Sequence, residues 1–302
     1  MSSCQNDNPK TMPSTKEIRR RIKSVKSTRQ ITRAMEMVSA AKMRKAQMQT
    51  LATRAYARYA WELIHNLTSR SDPRAHKLLR QPRQTERQPE NPENALLIVM
   101  SSNRGLIGGF NNNVTQTAIN YAKQFSTCDV FTLGKKSRDS LRKIGLNIVA
   151  DFEKKDTAAE IMDINALAKL AVEDFVAGKY DRVTIIYMGF ISTLLQKPTI
   201  LELLPLKSDL SPRFSPADYL FEPTVDDVLE HVLPKLTMMQ IYQALLETNA
   251  AEHSARMVAM KTASDSAGDL VSELTLEYNQ IRQSNITKEI SEIVSGRLAI
   301  EG

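Results

Sequence analysis

A chain of 302 residues, 42% of them hydrophobic, is long enough to bury one large core or two ordinary ones, and this composition excludes a disordered protein. Lysine and arginine outnumber aspartate and glutamate by 41 to 34; the resulting net charge of +7 predicts an acidic partner without identifying its kind. No run of about 18 apolar residues occurs, so no membrane-spanning helix is expected. The two cysteines, Cys4 and Cys128, are far apart and lack metal-ligand spacing, which argues against a disulfide framework or zinc site and for a reducing compartment.

The first predicted element is a long helix over residues 14–70, preceded by a short mobile tail at 1–13. The tail lacks the features of a signal or transit peptide, and a start at Met12 is an alternative to Met1. Ser14 and Glu17 form a capping-box pattern, and no proline or glycine follows before residue 68. About 54 helical residues would span roughly 80 Å, too long to be buried within one small domain. The apolar positions recur at helical spacing: Ile18, Ile22, Val25, Thr32 and Met35.

Residues 71–94 are predicted to form a linker, because the stretch 69–94 holds four prolines among mostly polar residues. The following segment, 95–215, alternates strand-like and helix-like runs, which is typical of a Rossmann-like α/β domain with a buried sheet. The strand candidates are ALLIVM (95–100), DVFTLG (129–134), LNIVADF (146–152) and RVTIIYM (182–188). The helix candidates cover 114–125, 135–144 and 157–177.

A second long helix is predicted over residues 224–302. Thr224 and Asp227 form another capping-box pattern, and Pro234 is expected to kink or restart the helix. Residues 14–58 carry 13 basic and 2 acidic side chains, a balance of +11, whereas residues 224–302 carry 6 basic and 12 acidic ones, a balance of −6. Opposite charge on two amphipathic helices favours an antiparallel coiled coil, with ordinary bundle helices as the alternative. The predicted fold class is therefore α/β, a long antiparallel coiled coil of N- and C-terminal helices plus a Rossmann-like α/β domain.

The loop SSNRGLIGGFNN (101–112) lies between a strand and a helix, where phosphate-binding loops occur in α/β folds. Its glycines fit neither the dinucleotide-binding nor the P-loop spacing, so a tight structural turn is favoured. The four histidines share no metal-ligand spacing, and no nucleophile motif occurs. No catalytic residue, metal ligand or cofactor site is therefore predicted.

The basic first helix would also suit a nucleic-acid-binding protein, but its charges alternate with apolar residues at core spacing and aromatic residues are absent before Tyr56. An acidic protein surface is the favoured partner. Two alternatives stay open on the residues alone: a nucleotide-binding Rossmann enzyme and a helical nucleic-acid-binding protein.

Four motifs, in order along the chain, carry a family resemblance: RQITRAMEMVSAAKMRKAQ (29–47), SSNRGLIGGFN (101–111), EHSARMVAMKTASDSAGDL (252–270) and YNQIRQSNITKEISEIVSG (278–296). Together they resemble the gamma subunit of F-type ATP synthases over residues 15–300. The resemblance implies a central rotor without a catalytic site of its own, which couples proton or sodium flow to ATP synthesis or hydrolysis. It implies partners in the alpha and beta subunits of the alpha3-beta3 ring, the epsilon subunit and the membrane c-ring, with no nucleic acid, no cofactor and no metal. The implied location is the cytoplasmic face of the inner membrane of a bacterium, as a peripheral protein without direct membrane insertion.

The same resemblance implies rotor–stator contacts on both long helices. On the first helix these residues are Met35, Lys42 and Arg44, in a segment implicated in contact with beta subunits. On the closing helix they are Arg256, Gln283 and Thr287, which match polar positions that hold beta-subunit loops. The alternative for each is ordinary coiled-coil packing or solvation. Four positions depart from the family pattern: Asn103 replaces the usual aspartate, Ile107 a frequent cysteine, Ser266 a common asparagine and Arg297 a small residue.

Overall fold

The structure is a computed structural model that describes residues 14–68, 77–79, 94–155, 159–206 and 224–301. The tail predicted at 1–13 and most of the linker predicted at 71–94 lie outside these residues. The described chain forms two compact units: the first contains residues 14–37 and 260–301, and the second lies within Val38–Ala259. Two long helices, α1 (Thr15–Thr68) and α5 (Val225–Glu301), each contribute a segment to both units.

The first unit pairs the beginning of α1 with the last part of α5. The Ser14 hydroxyl accepts a hydrogen bond from the Glu17 backbone N–H (3.3 Å), so α1 begins at the predicted capping pattern. Ile18 is 1% exposed, and the rest of the predicted apolar stripe is partly buried. On this part of α5, the buried side chains are Met260, Ser264, Ala267 and Leu274. The burial period of each segment is therefore that of a helix packed along one side.

One close approach within this pair is made by Gly268 of α5. A Cβ atom added there would lie 3.1 Å from the Cζ atom of Arg29 on α1, so the guanidinium group covers the position where the side chain is missing. Glycine in a helix interior costs about 1 kcal/mol relative to alanine. In exchange, the absent side chain lets the Arg29 group approach the α5 backbone.

The second unit contains a five-stranded sheet with the strand order β3-β2-β1-β4-β5. The first four strands are parallel, and β5 pairs with β4 in the antiparallel direction. The strands are β1 (Asn94–Met100), β2 (Thr127–Leu133), β3 (Asn147–Phe152), β4 (Arg182–Phe190) and β5 (Gln196–Leu204). The helices between them are α2 (Phe110–Ala122), α3 (Lys135–Ile144) and α4 (Asn165–Val176), and a short 3-10 turn (Ile161–Ile164) precedes α4.

Both faces of this sheet are covered, which explains why β1 is a continuous apolar run. Six consecutive residues of β1, Ala95 to Met100, are fully buried. Leu96, Ile98 and Met100 face a core that includes residues of α4 and the 229–246 segment of α5. Leu97 and Val99 face a second core formed with α2 and α3. A mainly parallel sheet between two helical layers is the architecture of the predicted Rossmann-like domain.

In this unit α1 and α5 also pair, and they run in opposite directions. The Thr53 hydroxyl donates to Oε1 of Gln243 (2.8 Å). Lys42, earlier on α1, lies close enough to His253, later on α5, for its charge to act on the imidazole. The predicted fold class, an antiparallel coiled coil with an α/β domain, is confirmed.

Two features differ from the sequence-based expectations. Strand β5 was not among the strand candidates; it is an edge strand that contains Pro198 and is only half buried along much of its length, so it lacks the apolar run of the central strands. The helix does not restart at Pro234, because α5 continues through it, so that half of the expectation is wrong. Pro234 removes one backbone hydrogen bond, but Leu233 and Leu236 beside it are buried in the core, and their packing offsets the loss.

Candidate functional site

The loop after β1 is a closed turn whose polar groups bond to one another. The Ser102 hydroxyl donates to the Arg104 carbonyl (2.6 Å), and the Ser102 N–H donates to Oδ1 of Asn111 (3.2 Å). Leu106 and Gly108 adopt left-handed backbone angles, with φ of 62° and 58°. This geometry favours the structural turn over a phosphate-binding loop.

Asn103 in this loop uses both ends of its amide. Its Nδ2 donates to the Lys154 carbonyl (2.6 Å), and its Oδ1 accepts from the Lys135 N–H at the start of α3 (3.3 Å). An aspartate at this position could accept the second bond but, when ionised, could not donate the first. The amide of Asn103 therefore joins this loop to the residues after β3 and to the start of α3 in a way that a carboxylate could not.

A buried charged cluster lies where β3 ends against α5. Nζ of Lys154 donates to Oε2 of Glu252 (2.5 Å), and the Arg256 guanidinium donates to Oε1 of the same carboxylate (2.8 Å). The three side chains are 4%, 8% and 12% exposed. Nδ1 of His253 lies 3.5 Å from the Arg256 guanidinium. Both oxygens of Glu252 are thus held by cations.

The cluster shifts the pKa of two of its members. Burial opposes ionisation of Glu252, but Lys154 and Arg256 together outweigh it and lower the pKa of the carboxyl to about 2. Burial lowers the pKa of His253 to about 4; Glu252 acts in the opposite direction, and the cations Arg256, Lys154 and Lys42 add to the lowering. At neutral pH the cluster holds a carboxylate and an uncharged imidazole.

The three predicted contact residues of α1 lie in different settings. Met35, in the first unit, is partly buried on the predicted apolar stripe. Lys42 and Arg44, in the second unit, are exposed, and Lys42 is the one whose charge reaches His253. A contact with an acidic partner surface is therefore open to both cations.

The three predicted contact residues of α5 also separate into two settings. Arg256 belongs to the buried cluster of the second unit. Gln283 and Thr287 belong to the first unit, in a stretch where every residue from Arg282 to Leu298 is exposed. At 100° per residue they share one helix face with Ile290 and Val294. This mixed polar and apolar face is available to a partner.

Sequence reasoning did not find Lys154 or Glu252 as members of a site. Glu252 and Arg256 are four residues apart on a helix, and this spacing would have allowed their ion pair to be predicted from the sequence. The signal for Lys154 is absent from the sequence, because 98 residues separate it from Glu252.

Among the residues that the structure describes, no cluster of His, Cys, Asp or Glu could hold a metal ion, and no helix is long and apolar enough to cross a membrane. Burial, followed by the charge of Asp129, raises the pKa of Cys128 to about 11, so its thiol is protonated at neutral pH. Cys4 lies outside the described part of the chain.

Residues 14–300 match the protein family described as ATP synthase. The chain is 43% identical to the ATP synthase gamma chain of Roseiflexus castenholzii over 293 residues, which cover 96% of this chain and 99% of the relative. It is 44% identical to the ATP synthase gamma chain of Chloroflexus aurantiacus over 294 residues, with the same coverage. The chain belongs to the ATP synthase gamma chain family. The resemblance carried by the four sequence motifs is thereby confirmed.

Solved structures support the gamma chain fold. A chain of the Euglena gracilis mitochondrial ATP synthase, determined by cryo-EM as the OSCP/F1/c-ring in rotational state 3, aligns with a TM-score of 0.65 and 19% identity, covering 95% of this chain and 94% of that one. A chain of the Tetrahymena thermophila mitochondrial ATP synthase central stalk/c-ring aligns with a TM-score of 0.58 and 21% identity, covering 78% and 99%. At these identities the likeness concerns the fold.

Proposed function

We propose that this gamma chain is the central rotor of an F-type ATP synthase and couples ion flow across a membrane to ATP synthesis or hydrolysis. The observation that carries the proposal is its 43% identity to a gamma chain along nearly the whole length of both chains. The chain is a subunit of an enzyme complex, and the chemistry takes place on the subunits around it.

The physical requirement on a rotor is resistance to twisting. A single helix in water bends and frays, whereas two helices with interdigitated side chains resist both. Here α5 is 77 residues long and α1 is 54, and the two are paired within each compact unit. Such a pair can carry torque that a lone helix would dissipate.

The exposed stretch 282–298 of α5 suits a rotating contact with the alpha3-beta3 ring. Its large apolar residues, Ile286, Ile290, Ile293, Val294 and Leu298, are all exposed. Apolar contacts are non-directional, so they can be exchanged as the surface turns, whereas fixed ion pairs would hold it in one position. Gln283 and Thr287 on this stretch would bond beta-subunit loops at one stage of the cycle.

On α1, Met35, Lys42 and Arg44 would contact the beta subunits. Lys42 and Arg44 present exposed cations, and an acidic loop of a beta subunit is the complementary surface. Arg256 would contribute differently: its guanidinium is engaged by Glu252, so a beta-subunit group can reach only its remaining exposed edge.

The remaining proposed partners are the epsilon subunit and the membrane c-ring, which would bind the α/β domain. Through the c-ring the chain would be a peripheral protein at the cytoplasmic face of the inner membrane of a bacterium, since the two relatives described above come from bacteria. Either protons or sodium ions could drive this arrangement.

Assembly with the catalytic subunits tests the proposed function. Co-expression of the full chain with alpha and beta subunits is expected to yield a stable complex with ATPase activity, and omission of the chain should remove most of that activity. Full activity in the absence of the chain would contradict the proposal. Tight binding of labelled ATP by the isolated chain would favour a nucleotide-binding enzyme, and a steeply salt-dependent affinity for DNA would favour a nucleic-acid-binding protein.

Gln283→Ala tests the contact on the exposed stretch. Because Gln283 is exposed, the substitution should leave the free energy of unfolding within about 0.5 kcal/mol of the wild type while reducing the ions pumped per ATP hydrolysed. Asn285→Ala is the matched control, since Asn285 is exposed on the opposite side of the helix. Equal coupling in the two variants would remove Gln283 from the proposed contact. Arg256→Ala removes a cation from the buried Glu252 carboxylate, so it is expected to lower the free energy of unfolding as well as coupling.

A further inference from the structure

A buried ion-pair network in the second unit joins α5 to the sheet. Glu252 of α5 binds Lys154 through one carboxylate oxygen (2.5 Å) and Arg256 through the other (2.8 Å). Lys154 is the second residue after the end of β3, and Glu252 lies 98 residues further along the chain. The carboxylate therefore connects the end of a strand with one turn of a long helix.

The strand side of this connection is itself fixed. The Lys154 carbonyl accepts from Asn103 in the loop after β1, and the same amide accepts from the Lys135 N–H at the start of α3. A force applied to the Lys154 side chain is thus resisted by β3, by the loop after β1 and by α3. The network extends from the middle of the sheet to α5.

This connection restrains α5 in a way that the apolar core does not. Leu233, Ile241 and Leu245 hold α5 against the sheet, but hydrophobic attraction follows buried area and has little directional preference. Sliding or turning α5 would instead pull the Glu252 carboxylate away from two cations within a largely dry site. Because charges separated in a low dielectric lose much of their attraction without regaining water, the resistance rises steeply with displacement.

Stability alone does not account for such a network. Replacing a buried ion pair with apolar side chains of similar volume is often neutral or stabilising, so an apolar contact could hold the two elements together as well. What the ion pair supplies is a fixed orientation, with each carboxylate oxygen committed to one partner.

We propose that Glu252 is a positioning residue that locks α5 to the sheet through Lys154, so that torque carried by α5 turns the α/β domain instead of being lost as slippage between them. This inference rests on the proposed rotor function. Glu252 acts through the helix that it holds.

The test uses the complete complex in inverted membrane vesicles, with ATP hydrolysis and ATP-driven ion uptake measured on the same sample. The main variant is Lys154→Met/Glu252→Gln, which removes the ion pair between these two residues, leaves side chains of similar size and keeps an amide oxygen as acceptor for Arg256. The control is Lys169→Met/Glu173→Gln, which makes the same changes at an ion pair on α4 whose side chains are 72% and 61% exposed. Thermal unfolding of each variant is recorded alongside.

The main variant should keep its ATP hydrolysis, while the ions taken up per ATP hydrolysed fall severalfold below the wild-type ratio. The control variant should match the wild type. Glu252→Asp, which keeps the charge but shortens the side chain by one methylene, should show a partial loss.

A wild-type ratio of ions to ATP in the main variant would overturn the inference, as would a loss of thermal stability with the ratio unchanged. If that variant does not assemble, Glu252→Asp decides, and a wild-type ratio there overturns the inference. If the wild-type complex itself neither hydrolyses ATP nor takes up ions, the proposed rotor function fails instead.

Discussion

Replacing Gly134 with alanine is expected to destabilise the second unit by about 4 kcal/mol. Gly134 lies between β2 and α3 with a φ of 112°, a backbone angle that residues with a side chain rarely adopt. An added Cβ would lie 2.4 Å from the Ser101 carbonyl oxygen and 2.8 Å from its carbon. Both atoms belong to the backbone, so neither can swing aside.

The magnitude follows from two contributions. Holding alanine at this φ costs about 1 to 3 kcal/mol in backbone strain. Relieving the overlap requires Ser101 to move, although its hydroxyl accepts bonds from the N–H (3.0 Å) and the hydroxyl (2.7 Å) of buried Ser137. Weakening these two bonds adds about 1 kcal/mol each.

Denaturant unfolding of the full chain, followed by circular dichroism, measures this effect. Gly145→Ala is the matched control, because Gly145 also has a positive φ (87°) but no atom lies within 4 Å of its added Cβ. The control should lose only about 1 to 2 kcal/mol. If the two alanine variants are equally stable, the close approach of Ser101 to Gly134 has no energetic consequence and the reasoning is refuted.

Three further predictions concern stability. Asn103→Asp should cost about 1 to 2 kcal/mol at neutral pH in denaturant unfolding, because a carboxylate cannot donate to the carbonyl that the amide now binds; no loss would contradict this role. The free energy of unfolding should fall as the pH drops from 6.5 toward 4, because unfolded chains protonate His253 in this range and the native state does not. It should fall further below pH 4.5, because the Glu252 carboxyl binds a proton in the unfolded chain before it does so in the native state. His253→Gln should flatten the first part of this pH profile, and an unchanged slope would assign it to other groups. Ile18→Ala should increase hydrogen exchange over residues 15–37 by an amount equivalent to about 2 to 4 kcal/mol, whereas Ile31→Ala, at an exposed position, should change it little.

The long helices could be predicted because their information is local. Ile18 and Met35 recur at helical spacing, and Ser14 caps the helix next to the residues that it serves. The central strands could be predicted equally well, since a strand buried on both faces, such as 95–100, must be apolar throughout.

Strand β5 and the continuity of α5 could not be predicted from such local patterns. An edge strand buries only part of its surface, and Pro198 is a signal against a strand unless its edge position is already known. Likewise, Pro234 is a signal against a continuous helix unless the packing of Leu233 is known. In both segments the tertiary environment decides, and the sequence does not display it.

The candidate site likewise contains some residues that the sequence identifies and others that only the fold brings together. Family motifs point to positions such as Gln283 and Thr287, whose exposed side chains are free to meet a partner. The role of Glu252 depends on Lys154, which the fold brings to it from another element. Contacts between side chains distant in sequence follow from the fold, so they can be predicted only after it is known.

Observing rotation tests the central claim most directly. A bead can be attached through Leu194→Cys in the turn between β4 and β5, where Leu194 is 82% exposed, in a Cys4→Ser background. The raised pKa of Cys128 keeps that thiol slow to react, so the label should be selective. With the alpha3-beta3 ring fixed to a surface, addition of ATP is expected to produce sustained rotation of the bead in one direction. ATP hydrolysis by the labelled complex with a stationary bead would contradict the rotor assignment.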